Sequence, residues 1–125
     1  MSETNKTDTV AFHTKAVFEG DVENAFRIYS GAPYRQHNPL IEDGMEGLRK
    51  FVARMKADRP DAHGEIKRAF AEGDYVILHV HGMREPGDRG VAIVDIFRLE
   101  NGKIVEHWDV VQPIPEKTAN SNGMF

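Results

Sequence analysis

Residues 91–111, VAIVDIFRLENGKIVEHWDVV, constrain the fold more than any other stretch of the chain. Asn101-Gly102 separates two runs rich in β-branched and aromatic residues. Both positions of such a pair accept positive φ, so the segment predicts a hairpin with a two-residue turn. In uninterrupted register Glu100 opposes Lys103, Leu99 opposes Ile104, Phe97 opposes Glu106 and Asp95 opposes Trp108. Alternation then places Asp95, Phe97, Leu99, Ile104, Glu106, Trp108 and Val110 on one face. Val94, Ile96, Arg98, Val105, His107, Asp109 and Val111 fall on the other. Neither face is uniformly apolar. The first sets two acids among large apolar side chains, where a carboxylate must be paired or functional.

The remaining elements follow from periodicity and caps. Thr7 or Asp8 can cap a helix to about residue 19, with Val10, Phe12, Ala16 and Val17 near its buried side and Gly20 as its stop. Asp21 caps a second helix carrying Val22, Ala25, Phe26 and Tyr29 at helical spacing. Ser30-Gly31-Ala32-Pro33 breaks that pattern, and residues 34–38 form a short extended segment, because Pro39 restricts Asn38. A third helix over residues 45–56 carries a Met45, Leu48, Phe51, Val52, Met55 stripe that reads as core packing. Residues 65–71 pair with residues 75–83 across Glu72-Gly73-Asp74 as a second hairpin. From Pro113 a polar tail lies on the surface, with Met124 and Phe125 able to tuck into a groove.

Helices grouped ahead of hairpin-linked strands predict an α+β domain with a curved antiparallel sheet packed on N-terminal helices. At 125 residues the chain reads as one domain, with about residues 7–112 as its core and 113–125 as the tail. The absence of cysteine removes disulfides, thiolate metal sites and cysteine nucleophiles. A net charge of −4 argues against a nucleic-acid partner. No apolar run approaches membrane-spanning length, and the polar start MSETNKTDTV lacks a signal peptide's apolar region, so a cytoplasmic location is expected. No glycine-rich loop joins a strand to a helix as nucleotide phosphates require.

Several segments carry a family likeness: Tyr34-Arg35-Gln36-His37-Asn38-Pro39, Glu72-Gly73-Asp74-Tyr75-Val76, Asp95-Ile96-Phe97-Arg98, residues 101–109 (NGKIVEHWD) and Asn122-Gly123-Met124-Phe125. Together they resemble the SnoaL-like polyketide cyclases of the nuclear transport factor 2-like superfamily, and more closely the predicted aldol-condensation subgroup. The resemblance runs from about Thr9 to the last residue. It implies a cone-shaped, cystatin-like roll with a pocket between sheet and helices, and a homodimer formed through the sheet. It also implies cyclisation by an intramolecular aldol reaction without metal or organic cofactor, driven by an acid–base residue in the pocket. Asp95 is the matching acid. The cyclases commonly carry a further acid shortly after the Trp motif, where this chain has Gln112.

An aldol reaction needs a base near the α-carbon and a donor for the enolate oxygen. Asp95 is the expected base, its pKa raised by desolvation beside Trp108 and Phe97; the alternative is a structural acid paired to His37, His81 or an arginine. His37, just before the Pro39 turn, and His81 are its expected partners or enolate stabilisers. His79 shares a face with His81, and with Tyr34, Trp108 and Phe97 it would line the ligand site. The two-residue spacing of His79 and His81 is compatible with a metal but lacks a fixed third ligand, so no metal is expected. His107 and Asp109, alternating with apolar residues, suit a dimer interface, and His13 and His63 read as solvated. The expected ligand is a small carbonyl compound. A non-catalytic binding module and a sheet-mediated interaction domain are the rival readings.

Overall fold

The structure, a computed structural model, describes residues 2–125. Its elements are α1 (Ser2–His13), a π-helical turn (Thr14–Phe18), α2 (Val22–Tyr29), β1 (Ser30–Gln36), α3 (Gly44–Asp58), β2 (His63–Glu72), β3 (Tyr75–Met83), β4 (Val91–Glu100) and β5 (Lys103–Pro113). The strands form one sheet in the order β1-β5-β4-β3-β2. The expected α+β architecture is present, with the helices on the concave side of the curved sheet. Both hairpins are antiparallel, but β1 enters as an edge strand parallel to β5, which no local signal announced. Among the described residues no helix is long and apolar enough to cross a membrane.

Local chemistry explains the boundaries. Asp21 caps α2 by accepting from the Asn24 backbone N–H, and Gly20 turns the chain at φ +81°. Helix α1 starts several residues earlier than its periodicity suggests. Asn5 and Thr9 are buried, and Asn5 Nδ2 donates to the Gly73 carbonyl in the β2–β3 turn, 3.3 Å away, so tertiary contact extends the helix where Thr7 or Asp8 was expected to cap it. Asp43 precedes α3 without capping it; its Oδ1 instead accepts from the Gln36 backbone N–H at 2.7 Å.

The core lies between α1, α2 and the inner face of the sheet. Phe12 is its hub, packing edge-on against Phe26 at 5.4 Å and Phe97 at 6.0 Å between ring centroids. Val76, Leu78 and Val80 line β3 from the same side, with Leu99 and Ile104 completing the floor.

The Val91 hairpin forms as expected, with Asn101 at φ +50° and Gly102 at φ +78°. Its register, however, is broken. Leu99 pairs with Ile104, and then Arg98 pairs with Glu106, so Val105 is the extra residue of a β-bulge. Beyond it Phe97 faces His107, Ile96 faces Trp108 and Asp95 faces Asp109. The slip exchanges the two faces of β5 past the bulge. His107, Asp109 and Val111 turn inward to the cavity, whereas Glu106, Trp108 and Val110 turn outward. The assignment of His107 and Asp109 to a dimer interface is thereby corrected.

Candidate active site

Between sheet and helices lies a cavity of about 320 Å³. Phe12, Phe18, Leu48, Phe51, Met55 and Ile93 are among its apolar walls, with Arg59, His63 and Arg84 also in its lining. Its polar floor is formed by His13, Tyr34, Asn38, Asp95, His107 and Asp109. The histidine at 13 reaches it from the end of α1. There the helix widens into a π-turn closed by the Glu19 N–H on the Thr14 carbonyl, an irregularity often found next to functional sites.

Asp95 is 4% exposed and His107 6%. His107 Nε2 lies 2.8 Å from Asp95 Oδ1 and 3.9 Å from Asp109 Oδ2. His13 Nε2 stands 3.4 Å from Asp95 Oδ2, an oxygen with no hydrogen-bond partner. Burial pushes the Asp95 carboxyl upward, but the contacts with His107 and His13 outweigh it and bring the pKa down to about 2. Asp95 is therefore an ionised, partnered carboxylate, contrary to the expectation of a raised pKa. The aromatic environment foreseen for it is half right, since Phe97 lies beside it and Trp108 does not.

Two carboxamides at the end of β1 complete the floor. Gln36 Oε1 lies 2.7 Å from His107 Nδ1, and Asn38 Nδ2 donates to both Asp109 oxygens at 2.8 and 2.9 Å. Tyr34, on the same side of β1, is buried; desolvation first, then the charges of Asp95 and Asp109, push its ionisation well above the usual range. Its hydroxyl is a permanent donor. Asp95, His107 and Asp109 also bring one donor atom each within 4.8 Å, but the Nε2 lone position of His107 is taken up by its hydrogen-bonding contact with Asp95.

Of the anticipated site residues, Asp95, Phe97 and Tyr34 line the cavity. The others lie on the outer face of the sheet. His37 Nε2 pairs with Glu106 Oε2 at 2.7 Å, its ring stacks on Trp108 at 4.8 Å, and its side chain is 42% exposed. Arg98 holds the other Glu106 oxygen at 2.8 Å, and the hydrogen bonds from His37 and Arg98 lower the Glu106 pKa. His81 Nε2 donates to the Arg89 carbonyl at 2.7 Å, and His79 contacts Arg68. Both rings pack against Phe125, the tail having folded back over them. Neither His37 nor His81 can partner Asp95, and Trp108 and His79 do not line this cavity. The physical reason is strand parity. Val76, Leu78 and Val80 take the core side of β3, so His79 and His81 must point away.

Comparison with known proteins fits this geometry. The SnoaL-like domain family matches residues 9–107. The chain belongs to that family. No curated protein matches the sequence. Among solved structures, SnoaL-like relatives share the architecture at low identity. A cystatin-fold protein of uncharacterised role from Novosphingobium aromaticivorans is 27% identical with a TM-score of 0.70, covering 88% of this chain and 98% of its own. TsrD from Streptomyces laurentii is 25% identical with a TM-score of 0.67, covering 82% and 84%. A candidate isomerase of the SnoaL-like family from Agrobacterium tumefaciens has a TM-score of 0.74 at 16% identity, covering 87% and 98%, and supports the fold alone.

Proposed function

We propose that this SnoaL-like protein is a cofactor-independent acid–base enzyme acting on a small carbonyl compound, by aldol-type condensation or a related isomerisation. The observation that carries the reading is the hydrogen-bonded Asp95–His107 pair beside the Asp109 carboxylate, on the floor of a largely apolar cavity. Asp109 is the group suited to take the α-proton. Its two oxygens are aimed by Asn38, whereas Asp95 is buried with His107 hydrogen-bonded to one oxygen and His13 3.4 Å from the other. The Tyr34 hydroxyl, held protonated, supplies the donor that an enolate oxygen needs. The enolate carbon then attacks a second carbonyl, forming the C–C bond, and the resulting alkoxide recovers the proton from Asp109.

The test is deuterium uptake at the α-carbon of 1,3-dicarbonyl and polyketide-like compounds in heavy water, followed by NMR. Asp109→Asn is expected to slow exchange by about 100-fold or more, the usual contribution of a positioned base. The sequestered state of Asp95 favours one rival, a binding module for a hydrophobic metabolite. Compounds that shift cavity resonances without any exchange would establish that rival and end the enzyme reading.

A further inference from the structure

Gln36 ends β1 and Asn38 lies two residues beyond it, and their contacts place both carboxamides at the floor, Gln36 on His107 and Asn38 on Asp109. Each is oriented by the backbone amide two residues on. The Asn38 N–H donates to Gln36 Oε1 at 3.0 Å, and the Leu40 N–H donates to Asn38 Oδ1 at 2.8 Å. These amides settle which end of each side chain meets the floor. Reversing Gln36 would set its NH₂ against the Asn38 N–H, donor against donor, and strand that backbone group, whereas the orientation present leaves the side-chain Nε2 as the buried atom without a partner. Its Oε1 therefore presents an acceptor to His107 Nδ1, and Asn38 presents a donor to Asp109.

We propose that Gln36 is a positioning residue which fixes the proton of His107 on Nδ1, so that a single proton is shared between His107 Nε2 and Asp95. An acceptor at 2.7 Å requires hydrogen on Nδ1. Nε2 faces the ionised Asp95 and donates to it, so one proton occupies the 2.8 Å gap. Asn38 acts on the other acid, its NH₂ directed at both oxygens of Asp109. The floor is thus organised by two backbone amides acting through two carboxamides, one set on His107 and the other on Asp109. The other titratable groups around the pair are His13 from α1, Tyr34 from β1 and Asp109 from β5, and none of them contacts Nδ1.

The position of the proton stands independently of turnover; only its effect on rate rests on the proposed acid–base reaction. The test uses the full chain with ¹⁵N-labelled histidine and long-range ¹H–¹⁵N correlation at neutral pH. Wild type is expected to show a protonated Nδ1 on His107. Gln36→Leu, which removes the acceptor, should move Nδ1 into the unprotonated range, and Gln36→Glu should keep it protonated. Where exchange is measurable, Gln36→Leu should slow it by at least about tenfold and Gln36→Glu should recover it. An unprotonated Nδ1 in the wild type overturns the proposal whatever the variants do, and so does a Gln36→Leu spectrum identical to wild type. If Gln36→Leu fails to fold, the wild-type spectrum and Gln36→Glu decide alone. A protonated Nδ1 with no exchange in any compound would leave this inference standing and remove the enzyme.

Discussion

Asp95 shows how a single buried group ties chemistry to stability. Its folded pKa of about 2 lies below the ordinary 3.8, so the unfolded chain binds the proton more readily. The carboxylate therefore contributes stability that is fully present above about pH 4 and lost as pH falls towards 2, amounting to about 2 kcal/mol. Asp95→Asn should be less stable than wild type by roughly that amount at pH 6 in urea unfolding. The gap should close at pH 2; a gap that stays constant would show that the residue contributes by packing and not by charge. At this scale strand parity made part of the site legible on β1 and failed on β5, where the extra residue Val105 exchanges the two faces. Tyr34 was correctly sent inward, and alternation then sends Gln36 and Asn38 with it and His37 to the other side. Admitting both Tyr34 and His37 broke the very rule that finds the carboxamides. His13 had no such signal, because its burial depends on where the π-turn swings the helix end.

Among the elements, those built from local signals were readable and those built from distant ones were not. The Asn101-Gly102 turn and the Asp21 cap each need only a few neighbouring residues. The parallel docking of β1 on β5 depends on contacts far apart in sequence, and the bulge at Val105 is an inserted residue that period-two reasoning has no way to foresee. That one residue decides which half of β5 meets the cavity. Deleting Val105 should close the β4–β5 ladder without moving any partner on β4, since Ile104 would still oppose Leu99 and Glu106 would still oppose Arg98. The variant is expected to lose about 2 kcal/mol with the buried valine. Its Trp108 emission should stay at the wild-type wavelength, as the only tryptophan remains stacked on His37 outside the cavity. A blue shift, reporting a tryptophan turned inward, would contradict the observed register.

For the molecule as a whole, the unusual surface is the convex side of the sheet. Phe70 is 57% and Val110 67% exposed, with Tyr75, Ile77 and Val94 on the same side. Large exposed apolar patches on a soluble domain mark contact surfaces. A homodimer through this face, in line with the family resemblance, is the corresponding prediction. Sedimentation at micromolar concentration should give twice the mass of the chain, and Val110→Lys with Ile77→Lys should give the monomer. A wild type that sediments as a monomer throughout would dispose of it. The same face also receives Phe125, whose ring centroid lies 4.5 Å from that of His81, with Lys67 Nζ 5.6 Å from its centre. Whatever is joined after Phe125 thus begins on the sheet itself. A purification handle or fluorescent fusion placed there would start from that face and act as a perturbation of it, whereas a label attached within the exposed loop around Gly87 would leave it alone.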